Sequence, residues 1–306
     1  MPEALSFRRV ALIGVGLIGS SLARALRQHA PGVHVALHDA DPATRGRIEA
    51  LGLGDSRHAD VAGAVAGADL VVLCVPVGAT ATVAAAIAPH LAHGAVVSDV
   101  GSVKQAVLSA LSTALPAHAH IVPAHPVAGT EKSGPDAGFA SLFAGRWCIL
   151  TPPADADPDA VARLRALWEA LGARVDVMDA RHHDLVLAVT SHVPHLIAYT
   201  IVGTASDLET VTKSEVIAYS AGGFRDFTRI AASDPTMWRD VFLNNGEAVL
   251  EILQRFSEDL TALQRAIRWK DGQALYDLFS RTRDIRRSII DAAQDTAAPD
   301  FGREHR

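Results

Sequence analysis

Cysteine is nearly absent: the 306-residue chain has two, Cys74 and Cys148, each inside an apolar run, "VVLCVP" and "RWCIL". A disulfide framework is therefore excluded, and a reducing, cytoplasmic setting is expected. Positive charge is not in excess either. Lys plus Arg number 28 against 34 Asp plus Glu, for a formal net charge of -6. No general polyanion-binding surface follows, so nucleic acid is not an expected partner. The opening "MPEALSFRRV" lacks the basic start and apolar stretch of an export signal, and no export is expected. Zinc-ligand spacings are missing too; with no HExxH and no cysteine-rich cluster, no metal is expected. One stretch, "LVLAVTSHVPHLIAYTIVGTAS" from Leu185 to Ser206, lacks every charged residue over a length that could cross a bilayer. Its two histidines, proline and hydroxyls suit a buried core or interface helix better, so no membrane is expected.

What is there divides in two. The first half alternates apolar β-rich runs with helical stretches, as in a parallel sheet with crossover helices. Strands are predicted at "RVALIG", "HVALHD", "DLVVLCVP", "AVVSDV", "HIVPAH", "RWCILTP" and "RVDVMD". Most are almost wholly apolar, as strands covered on both faces should be. After about Ala180 the periodicity becomes helical, for example in "NGEAVLEILQRFSEDLTALQRAI" and "GQALYDLFSRTRDIRRSIIDA". The division expected is a dinucleotide-binding α/β domain over 1–180, an all-α domain over 181–292, and a solvated tail over 293–306.

"VALIGVGLIGSSLARAL" places Gly14, Gly16 and Gly19 in G-x-G-x-x-G spacing after a strand and at the start of a helix. The first glycine permits the tight turn, the second lets backbone approach a pyrophosphate, and the third lets helix and strand pack closely. The helix N-terminus at Leu17 and Ile18 then offers N–H groups to the phosphates. Asp39, roughly 25 residues beyond Gly14, can accept from the ribose hydroxyls and repel a 2'-phosphate, which favours NAD over NADP. Asp41, before Pro42, reads as a helix cap.

Two polar clusters follow strands where ligands of such sheets bind: "SDVGSVKQAV", with Ser102 and Lys104, and "HIVPAHPVAGTEKSG", with His125, Thr130 and Glu131. Ser102 also fits a helix N-cap. In the helical half, "TSHVPH" groups Ser191, His192 and His195, and "GGFRDFTRIAASDPTMW" supplies Arg225, Asp226, Arg229 and Trp238. Among fourteen histidines chance pairs are common, so a structural or surface role for His192 and His195 stands beside the functional one.

Together "GVGLIGSS", "DVGSVK", "HPVAGTEKSG", "SHVPH", "GGFRDFTRIA" and "DPTMWRD", in this order, resemble the prephenate dehydrogenase family, which includes arogenate and cyclohexadienyl dehydrogenases. The resemblance covers roughly residues 8 to 292. It implies a Rossmann-type NAD-binding domain followed by a helical dimerisation domain, and a homodimer. The implied activity is NAD-dependent oxidative decarboxylation of prephenate to 4-hydroxyphenylpyruvate in tyrosine biosynthesis. Arogenate or dual specificity is the alternative, and an NAD-sensing regulator is the non-enzyme one. Matched by motif, His125 resembles the catalytic histidine facing the ring hydroxyl, and Ser102 the serine that helps hold it. Arg229 resembles the arginine that binds a carboxylate, and Ser191, His195, Thr130 and Glu131 resemble pocket residues. Asp184, Asp226 and Trp238 match pocket or gating positions. Ala124 departs from the pattern, because many members have glycine before the His-Pro pair. A β-hydroxyacid dehydrogenase would place a catalytic lysine in the helical half, and Lys213 lies in no such motif.

Overall fold

The computed structural model describes residues 6–130, 132–212 and 222–291, and the chain forms two compact units, Met1–Leu250 and Glu251–Arg306. In the first unit six strands make a parallel sheet: β1 (Arg9–Ile13), β2 (His34–His38), β3 (Ser56–His58), β4 (Leu70–Leu73), β5 (Val96–Asp99) and β6 (His120–Ile121). Their order is β3-β2-β1-β4-β5-β6. The connections carry α1 (Leu17–His29), α2 (Pro42–Ala50), α3 (Val61–Val65), α4 (Thr80–Ile87) and α5 (Gln105–Ala114). The order reverses between β1 and β4, and ligands of open α/β sheets bind at such a switch point, beyond the strands' carboxyl ends.

The apolar strands are explained by cover on both faces. Val10, Leu12, Val35, Leu37, Leu70 and Val72 share one core with Leu22 and Leu26 of α1. Their neighbours Ala11, Ile13, Val71, Leu73 and Val97 point the other way, into a second core with Ile87 of α4 and Val107 and Leu111 of α5. Successive strand side chains alternate between faces, so one run feeds two cores.

"HIVPAH" does not form one strand. Val122 N–H still donates to the Val97 carbonyl (3.0 Å), but the next N–H on that side, Ala124, donates to the Asp99 carboxylate (3.1 Å), and the Pro123 carbonyl accepts from Thr151 (2.9 Å). The chain thereby leaves the large sheet and enters a second one as β7 (Ala124–Pro126), antiparallel to β8 (Trp147–Leu150), which pairs in parallel with β9 (Arg174–Val177). The last two strands predicted for the parallel sheet belong to this smaller mixed sheet. Helix α6 (Pro158–Ala170) lies between β8 and β9 in sequence; its Trp168 packs edge-on against Phe143 at 5.2 Å.

From Ala180 onward the described residues are helical: α7 (Ala180–Leu187), a π turn (Ala188–His192), α8 (Val193–Thr212), α9 (Gly222–Thr228), a 3-10 turn (Arg229–Ala232), α10 (Pro235–Asn244), α11 (Gly246–Trp269) and α12 (Gly272–Asp291). Aspartates start several helices. Asp41, Asp157 and Asp234 each cap a helix whose first residue is proline, and Asp179 caps α7. A proline there loses no hydrogen bond and its φ already suits the helix. The uncharged stretch falls in α7, the π turn and α8, and Ala180–Asp207 is long and apolar enough to span a bilayer by length and composition. That stretch also carries the buried His183, Asp184 and His192. The tail expected over 293–306 lies outside the described residues.

Candidate active site

The glycine loop has the geometry its spacing predicts. Gly14 sits at φ +93, and a Cβ there would lie 2.5 Å from the Cys74 carbonyl oxygen; one on Gly19 would lie 2.2 Å from that of Gly14. Any side chain at either position would push helix α1 off the strands. A Cβ on Gly16 would meet nothing within 4 Å, and no side chain caps the α1 N-terminus. The Leu17 and Ile18 end of α1 thus faces open space with its positive dipole end, as a pyrophosphate requires. Asp39 closes the site at the end of β2. Its Oδ2 accepts from Val15 N–H (2.8 Å) and its Oδ1 from Asp41 N–H (3.0 Å), so the carboxylate is oriented by the loop that it helps to shape. These residues fit an NAD adenosine and pyrophosphate.

His125 enters from β7 and is buried. Its Nδ1 lies 2.8 Å from His183 Nε2, and His183 Nδ1 lies 2.8 Å from Asp184 Oδ1. Asp184 in turn accepts from the backbone N–H groups of Lys104 (2.7 Å, Oδ1) and Gln105 (2.9 Å, Oδ2). It therefore caps helix α5 from across the fold. Ser102 is not that cap, which removes the structural alternative for its hydroxyl.

The residue before His125 is held from both sides. Lys104 Nζ donates to the Ala124 carbonyl (2.7 Å) and to Asp99, and Asp99 Oδ1 accepts from Ala124 N–H (3.1 Å). Asp99 also accepts from Gly101 N–H (2.8 Å). Lys104 and Asp99 have side-chain exposures of 0% and 3%, so this is a buried ion pair joining the end of β5 to the start of β7. Burial, then His183, Lys104 and His192, hold the His125 pKa well below the ordinary histidine value. At neutral pH the ring is uncharged and able to take a proton.

The helical residues gather beside it. His192 is wholly buried; Asn245 Nδ2 lies 3.0 Å from its Nδ1 and also donates to the Asp184 carbonyl (2.9 Å). The Ser102 backbone lies beside the same ring, and burial pushes the His192 pKa down to about 4. His195 stacks on Trp238 with centroids 3.7 Å apart, and its Nδ1 lies 2.8 Å from the Ser191 carbonyl. Burial, and the positive charge of Arg229, hold the His195 pKa below the ordinary histidine value. Val103 packs with Trp238 and Val241, so the Ser102 loop and α10 form one wall.

The structure thus brings His192 and His195 together on Trp238, with Val103 of the Ser102 loop against the same ring, and joins His125 to His183. It leaves Thr130 exposed on the loop after β7, where its hydroxyl accepts from Lys132 N–H (3.2 Å). Asp226 is exposed and pairs with Arg225 (3.2 Å). Glu131 lies outside the described residues. Sequence reasoning missed His183, Asp99 and Asn245; the one signal for His183 was its place beside Asp184 in "RHHDLV".

A glycine loop at the sheet's switch point and a buried imidazole held by a His-Asp pair fit a dinucleotide-dependent dehydrogenase. Family models agree: one described as the prephenate dehydrogenase nucleotide-binding domain matches residues 22–177, and one described as the dimerization domain matches residues 179–281. The chain belongs to the prephenate dehydrogenase family. It is 47% identical over 283 residues to the cyclohexadienyl dehydrogenase of Zymomonas mobilis, covering 92% of this chain and 96% of that one. Prephenate dehydrogenase of Bacillus subtilis is 33% identical over 278 residues, covering 90% and 75%. The crystal structure of prephenate dehydrogenase from A. aeolicus with hydroxyphenyl propionate and NAD+ matches with a TM-score of 0.87 at 33% identity, covering 94% and 100%.

Proposed function

We propose that this enzyme is an NAD-dependent prephenate dehydrogenase of tyrosine biosynthesis, converting prephenate to 4-hydroxyphenylpyruvate and CO2. The observation that carries the reading is a buried His125 whose Nδ1 is held by His183, itself held by the Asp184 that caps the helix after the Ser102 loop. Gly14, Gly16 and Gly19 would admit the pyrophosphate, the N–H groups of Leu17 and Ile18 would bind it, and Asp39 would bind the ribose. Bound there, NAD supplies the acceptor for the hydride that leaves the ring carbinol carbon.

His125 takes the proton of the ring hydroxyl as that carbon becomes a carbonyl, with Ser102 beside it to hold the oxygen. Cleavage of the bond to the quaternary carboxylate then sends an electron pair into the ring. The resulting phenolate takes its proton back from His125, so the base ends as it began. Arg229 offers a planar fork to a substrate carboxylate, and Ser191 and His195 complete the substrate side, with Thr130 and Glu131 assigned there by their motif alone. A homodimer through the helical part would cover the exposed Val189, Ile201 and Val202. A cytoplasmic location fits a biosynthetic enzyme with free cysteines.

Steady-state kinetics with prephenate and L-arogenate, each with NAD and NADP, test the reading. Prephenate with NAD is expected to have the highest kcat/KM. Turnover of neither cyclohexadienol would overturn the assignment, and a preference for arogenate would move it to the amino-bearing substrate. Two variants refine it. Arg229→Ala is expected to raise the prephenate KM about 10- to 100-fold, the worth of a charge-assisted hydrogen bond, with NAD affinity unchanged. A defect confined to NAD binding would remove Arg229 from the substrate site. Asp39→Asn is expected to improve the NADP:NAD ratio of kcat/KM about tenfold by removing the repulsion of a 2'-phosphate; an unmoved ratio would show that this carboxylate does not select the cofactor.

A further inference from the structure

We infer that His183 and Asp184 are positioning residues that hold His125 with its hydrogen on Nδ1 and its lone pair on Nε2, toward the substrate. The inference rests on His125 being the base. The chain of contacts is fixed from its far end. The N–H groups of Lys104 and Gln105 can only donate, and each is given to one oxygen of Asp184. Asp184 therefore presents lone pairs to His183 Nδ1 at 2.8 Å, and that nitrogen has to carry a hydrogen. In a neutral imidazole the other nitrogen is then bare. His183 Nε2 accepts, so His125 Nδ1, 2.8 Å away, must donate, and its Nε2 is left as the basic atom.

Reversing any link would set two hydrogens or two lone pairs against each other in a buried place, where unpaired polar atoms are costly. His183 is fully buried and Asp184 is 1% exposed, so water does not relieve such a clash. Burial holds the His183 pKa below its ordinary value although Asp184 pulls it up, which keeps the linking ring neutral. Among the described residues, the titratable groups that act on His125 are His183 from α7, Lys104 from the start of α5 and His192 from the π turn. Asp184 thus sets two things at once, the tautomer of the base and the N-terminus of α5, next to the Ser102 loop.

The test combines three variants with a spectrum of the native enzyme. His183→Phe keeps a ring but no acceptor, and Asp184→Asn can feed an N–H back toward His183 and invert the tautomers. Each is expected to lower kcat by about 10²–10³-fold while the prephenate KM stays within about threefold and NAD binding is unchanged. His183→Gln, whose amide oxygen can accept the same hydrogen, should recover part of the rate lost in His183→Phe. Nitrogen-15 histidine NMR of the NAD-bound native enzyme should show His125 protonated on Nδ1. Unchanged kcat in a folded His183→Phe enzyme, or a native His125 protonated on Nε2, overturns the inference. The native spectrum decides alone where a variant does not fold. If His125→Asn loses turnover while His183→Phe retains it, only this inference fails; if His125→Asn retains turnover, the base assignment itself fails.

Discussion

His125→Asn is expected to lower turnover by about 10²–10⁴-fold, the usual worth of a placed general base, while NAD binds as before. Asparagine fits the space but has no nitrogen lone pair to take the hydroxyl proton. NAD affinity is the control, because the glycine loop and Asp39, proposed to hold the cofactor, make hydrogen bonds in which His125 takes no part. The pH profile carries a second signature. The active form is the neutral ring, and burial with three neighbouring groups depresses the His125 pKa. The acid limb of kcat/KM should therefore lie below the ordinary histidine value of about 6.5, and activity should stay flat from neutral pH down to that limb. Unchanged turnover in the variant, or a native acid limb at 6.5 or above, would remove His125 from the role of base.

Lys104→Met is expected to cost about 3–5 kcal/mol of stability, because it leaves Asp99 buried without its countercharge. Burial pushes the Asp99 pKa up and that of Lys104 down, and each partner pulls the other back toward the charged form. The pair persists because its remaining capacity is filled by Gly101 N–H, Ala124 N–H and the Ala124 carbonyl. Removing one side leaves the other with its desolvation cost and one partner fewer. Urea unfolding of the single variants and of the double variant Asp99→Asn/Lys104→Met would measure this. The double variant should lose less than the sum of the two singles. A loss under about 1 kcal/mol for Lys104→Met would show that the lysine is not needed to hold Asp99.

Much of this was legible in the residues. The glycine spacing, the helical period after Ala180 and the Asp-Pro helix starts depend on local stereochemistry, and the structure repeats them. Asp39 was legible too, since its place follows from strand length. What escaped were contacts between distant segments. His183 meets His125 across 58 positions and Asp184 meets Lys104 across 80, and no periodicity encodes such pairs. Motif order groups Thr130 with the pocket; the contact its hydroxyl makes in the structure, accepting from Lys132 N–H, is within its own loop. "HIVPAH" reads as one strand because its apolar character continues through Pro123; what ends the pairing is that Ala124 N–H goes to the Asp99 carboxylate instead of a β5 carbonyl while the Pro123 carbonyl turns to Thr151, contacts that residue type alone does not reveal.

The π turn at Ala188–His192 has a consequence for chain length. It is one residue wider than an α turn, and each residue turns a helix by about 100°. Losing a single residue there would rotate α8 against α7, turning His195 away from the Trp238 ring of α10 on which it stacks. Loops are where chains usually absorb insertions and deletions. Here the stretch least able to change length is a helix interior, although it would accept many changes of side chain on its exposed face.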